Sequence, residues 1–420
     1  MLDRTILPAY RAIEDISFPW PDYYVCQNHL PLYVLNKSIQ PIVEVELVFR
    51  SGSYYELQPG AAYFTSYMLL EGTKDKTVRA IADVIDGYGA TITVRPQVDF
   101  CSIVLSTLTK YLAPMLDLLL ELLLTANFPA KSFKWLKNLK SQAIQMADKK
   151  NAYVAYKLFY EALFTKQHPY GRHLNLADVE AIQLEDLHLH YKKILFADCS
   201  AFVSGQVTPA ALQSIQQFLE QLPVQVVSAP AQAEFPYKPH KVVDRERKGV
   251  QSSIIVGKKL WNKQHPDFLP MLVVNELLGG YFGSRLMHNI REDKGYTYGI
   301  HSSLASFQRA GYFSIVTEVS PDMTQDTLAE IYKEIELLQR DLVDATELEK
   351  VQNYLLGHFL TTINDPFAIM QKFQSAYFYG LDQSYYTNLL NQVRSLTAVE
   401  IRQLAQKYLA LDTFTEVVVH

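Results

Sequence analysis

Apolar and polar positions alternate along the early chain. VCQNHLPLYVLNK and PIVEVELVFRSGS alternate, or run apolar with β-branched residues, as strands of a sheet do. The period then lengthens to that of a helix. GAAYFTSYMLLEGT, residues 60–73, reads as a short amphipathic helix ended at Gly72, and TVRAIADVIDGYG as a second, closed by Gly87 and Gly89. ATITVRPQVDFCSIVLSTL returns to a strand pair. YLAPMLDLLLELLL is a strongly apolar helix, and one longer helix is expected from about Ser132 to Phe164.

From residue 251 the same order recurs. QSSIIVGKKL predicts a strand, DFLPMLVVNELLGG a helix capped by Gly279 and Gly280, and SRLMHNIREDKG a second helix closed by Gly295. YTYGIHSSLASFQRAGYFSIVTEVS predicts a strand pair around a glycine-containing turn. DTLAEIYKEIELLQRDL and the helices from Thr346 to Tyr379 complete the set. The closing pieces also match: VEAIQLEDLHLHYKKIL then AFVSGQV, against VRSLTAVEIRQLAQKYL then TFTEVVV. An offset of about 205–215 residues is far too long for a solenoid and indicates a duplicated domain. The pattern predicts an α+β protein of two homologous α/β halves of about 200 residues each, with mixed sheets packed against helices. The expected boundaries are an N-terminal half at 1–227, a Pro-, Ala- and Lys-rich linker at 228–249 (SAPAQAEFPYKPHKVVDRERKG), and a C-terminal half at 250–420.

Composition narrows the function classes. The 420 residues exceed one ordinary core. With 49% hydrophobic residues, 20% charged and a net charge of −5, the chain is a globular one with no electrostatic footing for nucleic acid. Cys26, Cys101 and Cys199 lie far apart, with neither zinc-site spacing nor a disulfide framework, which suits a reducing compartment. MLDRTILPAYRAIEDISFPWPD lacks the basic start and apolar core of a secretory signal. LAPMLDLLLELLLTANF comes nearest to the roughly 18–20 apolar residues of a membrane span, but Asp117 and Glu121 interrupt it. A cytoplasmic protein, with neither nucleic acid nor membrane among its partners, is the expectation.

Three stretches together carry a family resemblance: VELVFRSGSYYELQPGAAYFTSYMLLEGTKDKTVRAIADVIDGYGATITVRPQVDF, LFTKQHPYGRHL at 163–174, and HPDFLPMLVVNELLGGYFGSRLMHNIREDKGYTYGIHSSL at 265–304. They resemble the pitrilysin/insulinase family of zinc metallopeptidases, which includes the mitochondrial processing peptidases, over nearly the whole chain. In active members of that family the first helix carries His-x-x-Glu-His. Residues four apart share a helix face, so two imidazoles can ligate one zinc, and the glutamate reaches the zinc-bound water as general base. A further glutamate, about 75 residues on, completes the ligands.

This chain departs at each position. Tyr63 and Tyr67 stand for the histidines, Ser66 for the base and Ala143, within about a residue, for the third ligand. A phenol with a pKa near 10 is a poor zinc ligand at neutral pH, a serine hydroxyl cannot replace the carboxylate base, and alanine has no donor. The eleven histidines are scattered, and His188 and His190, two apart, point to different helix faces. The sequence predicts no metal and no catalytic residue here. Tyr63 and Tyr67 are expected to fill the vacated volume, with their hydroxyls on water or on Ser66.

The second half keeps what the first has lost. The resemblance assigns a substrate-binding Arg/Tyr pair to Arg291 and Tyr298 in REDKGYTY. Read from the residues alone, Arg291 ends a helix, Tyr298 lies two or three residues into the next strand, and the two could donate to a peptide carbonyl. The plainer alternatives are an Arg291–Asp293 salt bridge and a Tyr298 that packs a sheet. In the family such a pair lies over the scissile region while a neighbouring sheet edge takes up the peptide as an extra strand.

The resemblance therefore implies a non-catalytic subunit that binds peptide or small unfolded protein through Arg291 and Tyr298. A homologous partner would supply zinc and the catalytic glutamate. LGGYFGSRL has no inserted Gly-rich loop, which disfavours a presequence-handling or respiratory-complex subunit. The alternative is a homodimeric, non-proteolytic peptide-binding scaffold of the same fold. A third reading, an altered active site built on Tyr63 and Tyr67, ranks last.

Overall fold

The computed structural model describes residues 16–226, 237–245 and 249–420. The first sheet has six strands: β1 (Asp22–Val25), β2 (Pro31–Asn36), β3 (Ile42–Phe49), β4 (Thr91–Pro96), β5 (Cys101–Leu108) and β6 (Ser200–Gly205), in the order β1-β2-β6-β3-β5-β4. The second has five: β7 (Lys241–Asp244), β8 (Ser252–Leu260), β9 (Thr297–Ser306), β10 (Gly311–Val319) and β11 (Thr415–Val419), in the order β7-β11-β8-β10-β9. In the first sheet only β2 and β6 run parallel, and in the second only β7 and β11 do. Leaving out β1, the two sheets therefore match strand for strand in order and direction. This is the duplication that the sequence pattern predicts, and the α+β class with mixed sheets is the observed one.

Helices of the first half are α1 (Ala61–Met68), α2 (Val78–Gly87), α3 (Leu112–Leu124), α4 (Ala130–Ala147), α5 (Asn151–Phe164), α6 (Leu176–Ala181), α7 (Leu184–Lys193) and α8 (Pro209–Leu219). The second half has α9 (Phe268–Asn275), which continues into a π-helical turn at Glu276–Gly280, and a π-helical segment at Met287–Asp293. It then has α10 (Thr324–Arg340), α11 (Ala345–Thr361), α12 (Pro366–Tyr377), α13 (Ser384–Ser395) and α14 (Ala398–Tyr408). Among the described residues no helix is long and apolar enough to cross a membrane.

Two sequence expectations need correction. The single helix expected from Ser132 to Phe164 is two, because Lys150 adopts an extended conformation (φ −93°, ψ 122°). The break falls in Asp148-Lys149-Lys150, whose Asp148 accepts from Lys157 Nζ at 2.8 Å, and side chains of this type compete with helical hydrogen bonding. The 228–249 stretch, expected to be a linker, contributes β7, which pairs in parallel with β11. The rest of that stretch lies mostly outside the described residues.

The break lets α5 leave its own half. It packs on β8 and β11 of the second sheet, burying Val154, Phe159, Leu163 and Phe164 with Ile255, Tyr312, Val417 and Val419. Helix α12 does the reverse, laying Ile369, Met370 and Phe373 against Leu35, Val48 and Phe202 on the first sheet. Each half is thus covered in part by a helix of the other. The exchange is pinned at the β9–β10 turn. There Asp99 accepts from the Tyr170 hydroxyl (2.8 Å) and the Gln308 amide (3.2 Å), with the Arg309 guanidinium at 3.6 Å.

Candidate functional site

Helix α1 begins at Gly60, whose φ of 93° is a left-handed conformation that glycine adopts without strain. The buried Glu56 carboxylate accepts from the Ala62 amide at 3.1 Å, capping the helix, and pairs with Arg172 at 2.8 Å. Burial outweighs both interactions and raises Glu56 to about 6. α1 is held against α4 by an edge-to-face Phe64–Phe133 contact at 5.7 Å and against α7 by the Thr65 hydroxyl, which donates to the Leu187 carbonyl.

Tyr63 and Tyr67 face the same way, their ring centroids 4.7 Å apart, both half-buried. Ser66 is fully buried. Its hydroxyl bonds the Ala62 carbonyl at 2.7 Å and lies 3.1 Å from the Cys101 sulfur. The tyrosine hydroxyls are therefore not bonded to Ser66. What lies over Tyr63 is a cation: Lys140 Nζ sits 4.0 Å from its ring centroid. Ala143, the expected position of the missing third ligand, is exposed. One turn earlier on α4, Lys140 is the residue that reaches the Tyr63 ring, and its ammonium was legible in the sequence only as one lysine of a basic helix.

A cavity of about 220 Å3 beside the helix is lined by Glu56, Tyr63, Lys140, Arg172 and the chain leaving β4. This donor set does not fit zinc. Burial pushes the Tyr63 phenol above its ordinary range, further from the anion a metal would need, and Lys140 brings a competing positive charge. Among the described residues no three His, Cys, Asp or Glu side chains converge on a point that could hold a metal ion. His190 is buried in α7, pulled down to about 4 by its burial, while His188 packs on Phe128.

The second-half pair lies at the other sheet. Arg291 is in the π-helical segment and Tyr298 is the second residue of β9; Gly295, at φ 66°, turns the chain between them. Arg291 Nε donates to the Tyr298 backbone carbonyl at 3.0 Å, and the guanidinium stacks 4.7 Å from the Phe282 ring centroid. Neither plainer alternative holds. Asp293 lies 3.2 Å from His288 rather than on Arg291, and the Tyr298 side chain is 93% exposed. Arg291 meets the backbone of Tyr298, and the phenol has no hydrogen-bond partner among the described residues. Tyr298 lines a cavity of about 280 Å3 between α5 and strands β8–β10. β9 is an outer strand of its sheet. The stacking partner Phe282, 62% exposed in LGGYFGS, was not singled out from sequence, where it read as an ordinary loop aromatic.

Comparison with known proteins finds a family match in each half of the chain. Residues 33–176 match the family described as Insulinase (Peptidase family M16), and residues 181–355 match the Peptidase M16 inactive domain. An uncharacterized zinc protease of Bacillus subtilis is 22% identical over 352 residues, covering 81% of this chain and 84% of that protein. A non-peptidase homolog of Helicobacter pylori is 24% identical over 408 residues, covering 94% and 92%. The crystal structure of a peptidase M16 inactive domain from Pseudomonas fluorescens superposes with a TM-score of 0.86 at 23% identity, covering 95% of this chain and 98% of that one. The ferredoxin protease FusC, solved as a mutant in complex with Arabidopsis ferredoxin, superposes with a TM-score of 0.76 at 12% identity, over 99% of this chain but 48% of that chain. The chain belongs to the insulinase family, peptidase family M16, and its zinc-site helix carries Tyr63, Ser66 and Tyr67 in place of the metal-binding motif.

Proposed function

We propose that this chain is the non-catalytic subunit of a heterodimeric M16 peptidase. It binds peptide or small unfolded protein through Arg291 and Tyr298 while a homologous subunit supplies zinc and the catalytic glutamate. The supporting observation is the contrast between the two sites. The α1 side chains are packed together under an ammonium group, whereas Tyr298 projects into solvent from an outer strand with Arg291 braced behind it. An outer strand offers unpaired backbone groups to an extended peptide, and an exposed phenol at its start can donate to the added strand. FusC, whose chain is about twice the length matched here, is named as acting on ferredoxin, which fits a pair of such units handling a small protein.

The test is co-purification with a homologue carrying intact His-x-x-Glu-His, followed by peptide hydrolysis by the reconstituted pair. This chain alone should cleave nothing. In the pair, Arg291→Ala should lower kcat/KM by about tenfold or more, the worth of a hydrogen bond to a charged donor. An Arg291→Ala pair with unchanged activity refutes the substrate role. The Helicobacter pylori relative, named a non-peptidase homolog, favours a second reading: a homodimeric scaffold that binds peptide without cleaving it. Peptide binding by the isolated chain, undiminished without any partner, would select that reading.

A further inference from the structure

Two lysines one turn apart on α4 are treated differently by the fold. Lys137 donates to the Glu180 and Ile182 carbonyls, each at 3.0 Å. Lys140 is half-buried and has no hydrogen bond and no ion pair among the described residues. Its ammonium lies 4.0 Å from the centroid of the Tyr63 ring, whose face attracts a cation but offers it no acceptor atom. Burial lowers its pKa, and no carboxylate among the described residues offsets that. A cation withdrawn from water without an acceptor is costly, so the lysine calls for an oxygen that the chain itself does not supply.

The cavity of about 220 Å3 beside α1 is where that oxygen fits, because Lys140 and Tyr63 both line it. The Tyr63 hydroxyl, too, has no hydrogen-bond partner among the described residues. Since the ammonium stands over the ring that carries this hydroxyl, one carboxylate can accept from both. The other charges of the cavity are matched within the fold. Arg172 donates to one Glu56 oxygen at 2.8 Å and to the Ser53 carbonyl at 3.4 Å, and the other Glu56 oxygen accepts from the Ala62 amide at 3.1 Å. Glu56 thus already occupies the start of α1, and the unmatched charge of the cavity is that of Lys140. Gln97 adds an amide to the wall and Leu174 an apolar side chain.

A half-buried lysine also invites a reading as an amine nucleophile, and the Tyr63 ring opposes it. Its face stabilises the charged form of the group that lies on it, which has no lone pair to attack with.

We infer that this cavity binds a carboxylate on a short aliphatic chain, held by the Lys140 ammonium and the Tyr63 hydroxyl, with the chain against Leu174. A single negative charge suits the site better than a phosphate dianion, because the Glu56 carboxylate lines the same wall. The volume falls below the roughly 300–1,000 Å3 of drug-sized pockets, which suits a group of a few heavy atoms. Such a group is a free short-chain acid or the glutamate side chain of a peptide. Gln97 also lines the larger cleft of about 590 Å3 between the two halves, so the two cavities adjoin. The inference goes beyond the proposed function: it involves neither Arg291 nor Tyr298, and it holds whether or not a partner supplies zinc.

Calorimetric titration of the full chain tests it with two matched pairs of probes. One pair is butyrate and butyramide; the other is N-acetyl-Ala-Glu-Ala-amide and its glutamine counterpart. At least one acid should bind roughly tenfold more tightly than its matched amide, the worth of a hydrogen bond from a charged donor. A preference shown by the glutamate peptide makes a peptide side chain the source; a preference shown by butyrate alone makes it a free acid. Lys140→Met should abolish the preference. Tyr63→Phe, which keeps the ring under the ammonium, should lower it by about threefold or more. Lys134→Gln, a change at an exposed lysine of the same helix, should leave it intact. Equal affinity for acids and amides, no binding of either acid, or a preference that survives Lys140→Met would overturn the inference. So would a preference lost equally in Lys134→Gln, since general surface charge would then explain it. An unchanged preference in Tyr63→Phe would overturn the hydroxyl's part. Arg291→Ala should not alter the acid–amide ratio, so failure of the proposed peptide site and failure of this one are separately readable.

Discussion

Because α5 is encoded in the first half and buried on the second sheet, the C-terminal half should not fold by itself. The perturbation is expression of residues 237–420 alone, which keeps β7 and the Tyr237 hydroxyl bonded to the Thr413 carbonyl at 2.9 Å but removes α5. Val154, Phe159, Leu163 and Phe164 are all at most 9% exposed in the intact chain, and their loss uncovers Ile255, Val417 and Val419 on the sheet. At about 1.5–3 kcal/mol for each large apolar side chain, these four contribute roughly 6–12 kcal/mol. That is the size of a whole domain's stability, roughly 5–15 kcal/mol. The fragment should therefore bind a hydrophobic dye, self-associate, and show no cooperative urea transition by circular dichroism. Residues 1–226 supplied as a separate chain should restore a cooperative transition, whereas residues 1–150, which lack α5, should not. A monomeric fragment that unfolds cooperatively with more than about 5 kcal/mol would refute the claim that α5 completes the second core.

Three further outcomes are expected. Asp99→Ala leaves the Tyr170 hydroxyl and Gln308 amide without an acceptor and should cost about 3–5 kcal/mol in urea unfolding, whereas Asp99→Asn, which keeps one acceptor oxygen, should cost about 1–3 kcal/mol. His190 titrates near 4 when folded and near 6.5 when unfolded, so the unfolded chain takes up the proton first and stability falls as pH drops from about 6.5 toward 4. The loss should reach about 3 kcal/mol, and His190→Phe should flatten that slope in melts recorded across this window. The triple change Tyr63→His, Ser66→Glu and Tyr67→His should bind zinc only weakly in competition with a chelator. Adding Lys140→Glu should tighten it more than adding Ala143→Glu, because the Lys140 side chain already reaches over Tyr63.

Periodicity and turn residues made the element order legible. Strand pairs, the helix α1, and the recurrence of the whole order in the second half follow from local pattern, and the matched sheets express it. The helix break at Lys150 was hidden because Asp148-Lys149-Lys150 carries no proline or glycine, and its side chains are compatible with either state. KVVD in β7 was hidden by its polar, proline-rich surroundings and by its length of four residues. An apolar helix face tells that α5 and α12 must be covered, but not by which sheet. The exchange is therefore invisible to sequence pattern. The same limit applies to Lys140, where a long side chain's reach, rather than its position in a period, decides what it touches.

The state of α1 explains why a helix that has lost its chemistry keeps its place. In a zinc-bearing relative a divalent cation would draw the helix, its neighbours and a carboxylate together. Here the Glu56 carboxylate is already engaged by two amides at the start of α1 and by Arg172. On the other side the Lys140 ammonium lies on the Tyr63 ring, a contact worth about 0.5–2 kcal/mol where it is partly desolvated. Ser66 has turned inward to Ala62 and Cys101, so the position of the general base faces the core instead of a solvent molecule. These changes reinforce one another. An inward hydroxyl suits an aromatic pair above it, and the aromatic face suits the ammonium, which in turn repels any metal. Reverting one residue would leave a buried polar group without its partner, so the degenerate site is a packed alternative with its own stability rather than an active site missing an ion.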